Sequence, residues 1–129
     1  ARFADGWLPI SPGPASFAAD WKKITAACKE IKRDHNKLLR VLYTTLNVND
    51  DEAQAAREMD EFLVSYYGAQ QKPIIEKSQG HCAGSADRCA EFLKGFVEVG
   101  ASHFVVRFAA AAQEPQMERF LKDVVPLLA

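Results

Sequence analysis

The run Leu39-Arg40-Val41-Leu42-Tyr43-Thr44-Thr45-Leu46-Asn47-Val48 constrains this chain more than any other segment. β-Branched and aromatic residues dominate it and a single charge interrupts it, so it reads as a strand covered on both faces. Strands of that kind belong to parallel sheets, whose crossover helices shield them. Helical stripes stand on either side. Upstream, Phe17, Trp21, Ile24, Cys28 and Ile31 recur at steps of four and three, with Lys22, Lys23, Lys29, Glu30 and Lys32 between them. Pro12-Gly13-Pro14 before this stripe and Asp34-His35-Asn36 after it bound a helix from near residue 15 to near residue 33. Downstream, Asn49, Asp50 and Asp51 offer N-caps to a stripe of Ala53, Ala56, Met59, Phe62, Leu63 and Tyr66, which closes at Tyr67-Gly68.

Residues 69–84 hold no sustained period and contain Pro73, Gly80 and Gly84, so they read as an irregular insertion with a short helical turn at Ile74-Ile75. Ser85 caps a further helix carrying Cys89, Phe92, Leu93, Phe96 and Val97, and Gly100 ends it with a left-handed C-cap. His103 to Phe108 forms another strand. Glu114 and Pro115 then open a last helix with a stripe of Met117, Phe120, Leu121, Val124, Val125 and Leu128. The opening segment, Asp5 to Ile10, is a short strand entered through a glycine turn. Strand and helix alternate along one domain, residues 1–129, which predicts an α/β fold with about three parallel strands joined by right-handed crossovers. Helices are expected on one face of the sheet.

Sixteen Lys and Arg against seventeen Asp and Glu leave a formal net charge of -1, which argues against a nucleic-acid partner. No apolar stretch approaches the ~18 uncharged residues that cross a bilayer, so no membrane association is expected. Three cysteines, Cys28, Cys82 and Cys89, are an odd count that fits a reducing compartment, the cytoplasm.

Arg2-Phe3-Ala4-Asp5-Gly6-Trp7-Leu8-Pro9 resembles the Ala-Asp-Gly-Trp segment of the bacterial luciferase-like monooxygenase family, flavin- or deazaflavin-dependent (β/α)₈ barrels. Gly84-Ser85-Ala86-Asp87 and Gly100-Ala101-Ser102-His103-Phe104-Val105-Val106 are similar to that family's late helix and last strand. Gln116-Met117-Glu118-Arg119-Phe120 through Val125-Pro126 looks like its closing helix. The resemblance covers essentially the whole chain and implies a partial TIM barrel: the C-terminal part, roughly strands six to eight. It also implies FMN or a deazaflavin as cofactor. Ala86 stands where the family usually has Pro, and everything before strand six is missing, including much of the flavin phosphate site.

Barrel enzymes work at the C-terminal ends of their strands. Arg107, at such an end, is a candidate clamp for phosphate or carboxylate, although a surface Arg paired with a helix carboxylate is the commoner case. Asn47 is a candidate to hydrogen-bond a flavin ring edge, or else it caps the next helix. Trp7 is a candidate stacking platform for a flavin; its apolar neighbours Leu8 and Ile10 favour a core role. His35 and His103 lack a Ser or Cys partner at a diagnostic spacing. His81, Cys82 and Cys89 have zinc-type donors without a Cys-x-x-Cys pair, so no metal site is expected.

The expected function is therefore the C-terminal segment of a luciferase-like oxidoreductase, inactive in isolation. The rival is a half-barrel assembly module without catalysis. About two hundred further residues upstream in the reading frame favour the first, and a start codon immediately before Ala1 favours the second. Unpaired strand edges and an open inner face predict a homodimer in either case.

Overall fold

In the computed structural model, residues 2–129 are described and Ala1 lies outside them. The strands are β1 (Gly6–Trp7), β2 (Leu39–Val48), β3 (His81–Gly84) and β4 (His103–Phe108). The helices are α1 (Pro14–Glu30), α2 (Glu52–Tyr67), α3 (Lys72–Ser78), α4 (Ala86–Glu98) and α5 (Gln113–Arg119). The chain is α/β, with parallel pairing throughout.

β2 is the hub of the sheet. β4 pairs with it from Val41↔His103 to Leu46↔Phe108. β1 pairs with it at Gly6↔Leu39 and β3 at Thr45↔His81 through Val48↔Gly84. Amides of Leu39, Tyr43, Thr45 and Asn49 bond to the β1 and β3 segments, while the carbonyls of Arg40 and Leu46 accept from Ser102 and Ala109. Odd and even residues thus serve opposite edges, so β1 and β3 lie end to end along one edge and β4 occupies the other.

The same alternation divides the side chains between two faces. Even residues of β2 face α1 and α4: Leu42 packs with Phe17, Phe96 and Ala101, and Leu46 and Val48 pack with Cys89, Leu93, Phe108 and Val124. Odd residues face α2, whose Met59 and Leu63 bury against Ala109 with Ala83 at the margin. This placement corrects the expectation of helices on one face. α2 covers the C-terminal half of the opposite face, and the N-terminal half stays open, with Leu8 55%, Ile10 51%, Leu39 47% and Val105 43% exposed.

The stretch read as an irregular insertion contains both α3 and β3. Pro73 sits in the first turn of α3, where its missing N–H costs nothing. His-Cys-Ala-Gly has little strand propensity of its own, and β3 exists because the β2 backbone binds it. α1 ends three residues before the expected boundary. Lys32 adopts φ +55°, and the bonds Lys32 N to Lys29 O and Arg33 N to Cys28 O close the helix there. Gly100 ends α4 in a Schellman motif, with φ +101° and bonds from Ala101 N to Phe96 O and from Gly100 N to Val97 O. The last helix loosens into a π turn over Phe120–Val124 and a 3₁₀ turn over Val125–Leu128, where Pro126 removes an amide donor.

Candidate functional site

The C-terminal ends of β2 and β4 meet the N-terminal half of α2 and the start of α5. Asn47 is fully buried there. Its Nδ2 donates to Glu58 Oε2 and to the Ala109 carbonyl, each at 2.7 Å. Glu58 Oε1 accepts from Gln54 Nε2 at 2.8 Å, so both carboxylate oxygens are held. Asn47 Oδ1 is buried without a partner. One residue on, β4 has ended, and the Gln116 amide completes the edge in its place. Its Oε1 accepts from Val48 N at 2.8 Å and its Nε2 donates to Val48 O at 3.2 Å.

Glu58 and Gln116 also line an open cavity of about 570 Å³, together with Glu61, Phe62, Ser65, Ala110, Ala111, Ala112 and Pro115. That volume is within the range of small-molecule sites, about 300–1,000 Å³. The lining carries two carboxylates and no Lys or Arg, which is the wrong polarity for a phosphate. The residues lining this cavity therefore do not fit the phosphate of a flavin-type cofactor.

Arg107 lies on the same sheet face as Asn47, beside Thr45. Its guanidinium donates to Thr45 Oγ1 at 3.0 Å. Four rings surround it: Tyr66 at 4.6 Å, Phe62 and Tyr67 at 5.1 Å, and Tyr43 at 5.6 Å. No carboxylate pairs with it among the described residues. Its Nε is buried without a hydrogen-bond partner. Burial raises the Tyr43 phenol above its ordinary 10.0, against the opposing pull of Arg107. The guanidinium is thus lodged in an aromatic box, with Phe62 between it and the cavity.

Trp7 lies on the other side of the sheet. It packs on Phe17 at 4.7 Å and Trp21 at 5.9 Å between ring centroids. The fold brings Asn47 and Arg107 to one face and does not bring Trp7 to them. Glu58, Gln116 and the α2 aromatics were not among the residues singled out from sequence. Their stripe marks α2 as amphipathic without saying which sheet face it covers.

His103 Nδ1 meets Ser102 Oγ at 3.0 Å and His81 Nδ1 meets the Gln79 carbonyl at 3.0 Å. Among the described residues no three His, Cys, Asp or Glu side chains are grouped to hold a metal ion. No helix of the described residues is long and apolar enough to cross a membrane.

No protein-family model matches the sequence, and no curated protein is significantly similar to it. Solved structures match its fold. One is an F420-dependent secondary alcohol dehydrogenase in complex with an F420-acetone adduct: 16% identity, TM-score 0.77, over 97% of this chain and 43% of that one. A second is a coenzyme F420 dependent tetrahydromethanopterin reductase from Methanopyrus kandleri: 16% identity, TM-score 0.70, over 99% of this chain and 46% of that one. A third is the EDTA monooxygenase EmoA from Chelativorans sp. BNC1: 16% identity, TM-score 0.73, over 98% of this chain and 40% of that one. The chain spans less than half the length of each. At this identity the likeness establishes fold alone: this chain folds like a portion of each of these proteins, as a partial barrel of parallel strands and helices.

Proposed function

We propose that this chain is part of a flavin- or deazaflavin-dependent oxidoreductase of the cytoplasm and that residues 1–129 alone do not turn over. One observation carries the reading. Almost all of this chain superposes on 43% of an F420-dependent dehydrogenase, while the open half of the α2 face presents Leu8, Ile10, Leu39 and Val105 where a closed barrel has its interior. Further strands are needed to cover that face and to hold a cofactor phosphate, which the acidic cavity at Glu58 and Glu61 does not suit.

In such an enzyme the cofactor supplies the hydride or oxygen chemistry. This chain's contribution is position and exclusion of water. Asn47 fixes Glu58, Gln116 fixes the end of β2, and Phe62 with the alanines 110–112 gives the cavity an apolar wall. The test is oxidation of small alcohols with FMN or a deazaflavin added, for residues 1–129 and for the product of the full reading frame. Turnover by the longer product alone supports the reading. Turnover by residues 1–129 overturns it.

A second reading, a non-catalytic module that self-associates through the open face, is favoured by the same exposed strip. It requires a two-fold dimer and no cofactor binding by any form of the protein.

A further inference from the structure

Arg107 leaves most of its hydrogen-bonding capacity unused. The side chain is half-buried, and its guanidinium makes one hydrogen bond among the described residues, from Nη2 to Thr45 Oγ1 at 3.0 Å. No carboxylate lies within ion-pair distance of it among those residues. Nε is enclosed without an acceptor; Nη1 also lacks one but is not enclosed, so it faces solvent. Drawing a guanidinium partly out of water with no counter-charge is unfavourable, and ring faces offset only part of that cost.

Three of the four rings around the guanidinium are phenols. The hydroxyls of Tyr43, Tyr66 and Tyr67 have no hydrogen-bond partner among the described residues. Those of Tyr43 and Tyr67 are not enclosed, and Tyr66 is 64% exposed. The fourth ring, Phe62, stacks on Tyr66 with centroids 5.7 Å apart and stands between the guanidinium and the cavity that Glu58 and Glu61 line. On its other side the cluster borders the uncovered half of the sheet face: Tyr43 bridges to Ile10, and Val105 lies two residues before Arg107 on β4. The groups gathered here are one cation and three neutral O–H donors. A single guanidinium balances one negative charge, its planar fork matches the two oxygens of a carboxylate, and aromatic walls suit an apolar or aromatic body.

The geometry points to a site for a small monocarboxylic acid at Arg107, distinct from the acidic cavity beyond Phe62. The ligand's carboxylate pairs with the Nη1–Nη2 edge of the guanidinium, the phenol of Tyr66, whose ring is nearest at 4.6 Å, donates to it, and the α2 aromatics flank its body. Thr45 holds Nη2 from below, so the fork is set before the acid arrives. Binding here involves no cofactor and does not depend on the oxidoreductase role; in that role the carboxylate is part of the substrate.

The experiment is titration of residues 1–129 with benzoate, benzyl alcohol and inorganic phosphate, followed by NMR at the Arg107 Nε–H, whose enclosure slows its exchange with water. Benzoate is expected to shift that resonance saturably, one to one, with benzyl alcohol and phosphate each weaker by at least about tenfold. Arg107→Met should lose at least about tenfold in benzoate affinity, and Tyr66→Phe, which removes one hydroxyl from an exposed ring, about threefold. Benzyl alcohol binding as tightly as benzoate, phosphate binding as tightly as benzoate, or an Arg107 resonance that benzoate leaves in place would overturn the proposal. The three-ligand comparison on the unmodified chain stands whether or not Arg107→Met folds. Because no cofactor is present in it, failure here leaves the oxidoreductase reading to its own test.

Discussion

Asn47 on β2 donates from Nδ2 to Glu58 Oε2 on α2 at 2.7 Å, tying the sheet to the helix that covers its far face. A second bond from the same nitrogen holds the Ala109 carbonyl. Asn47→Ala strips both acceptors in a buried setting and is expected to cost about 2 kcal/mol in a urea melt. Asn47→Asp should cost more at neutral pH, because it sets a carboxylate against Glu58 and a carbonyl. Burial and the facing charge raise the pKa of the introduced acid, so its penalty shrinks as pH falls. Equal losses at neutral and acid pH would contradict the buried placement of residue 47 against Glu58.

Arg107 and Tyr43 test the aromatic box. Arg107→Met keeps the length of the side chain and removes the charge, with an expected loss of about 1–2 kcal/mol. Because the guanidinium opposes the upward shift of the Tyr43 phenol, the variant should move that phenol further above 10.0 in a tyrosinate absorbance titration. The sign for stability follows from the raised folded pKa. The contribution of Tyr43 is fully present below its unfolded pKa and is lost as pH rises through the folded one. Tyr43→Phe should remove the late-titrating phenol.

Trp7 packs against Phe17 and Trp21 while keeping part of its ring in solvent. Trp7→Ala is therefore expected to cost about 3 kcal/mol, the low end for deleting a large core aromatic. A loss below about 1 kcal/mol in a denaturant melt would remove Trp7 from the core.

What could be read from the sequence depended on whether a signal was local. Leu39 to Val48 announces itself through β-branched residues, and the observed strand has those bounds. The α4 stripe and its Gly100 stop are equally local. β3 is not, because four small or polar residues become a strand only against β2. Nor is the end of α1, where a lysine takes the left-handed position that glycine usually marks. At the site, Asn47 was legible as a strand-end polar residue. Gln116 was not, since no pattern distinguishes a glutamine that will bond the backbone of Val48 from one in solvent.

The open strip at Leu8, Ile10, Leu39 and Val105 bears on oligomeric state. Burying apolar surface is favourable by about 25 cal/mol per Å². In sedimentation at micromolar concentration, residues 1–129 should run as a dimer, and Leu39→Lys or Val105→Lys should return a folded monomer. A stable monomer of the unmodified chain that binds no apolar dye would mean that this face needs no partner.

Equilibrium titration of FMN and of a deazaflavin bears most directly on the proposed oxidoreductase role, run on residues 1–129 and on the product of the full reading frame. Saturable one-to-one binding by the longer product, with none by residues 1–129, is the expected result. Micromolar or tighter binding by residues 1–129 alone, or no binding by either, would contradict it.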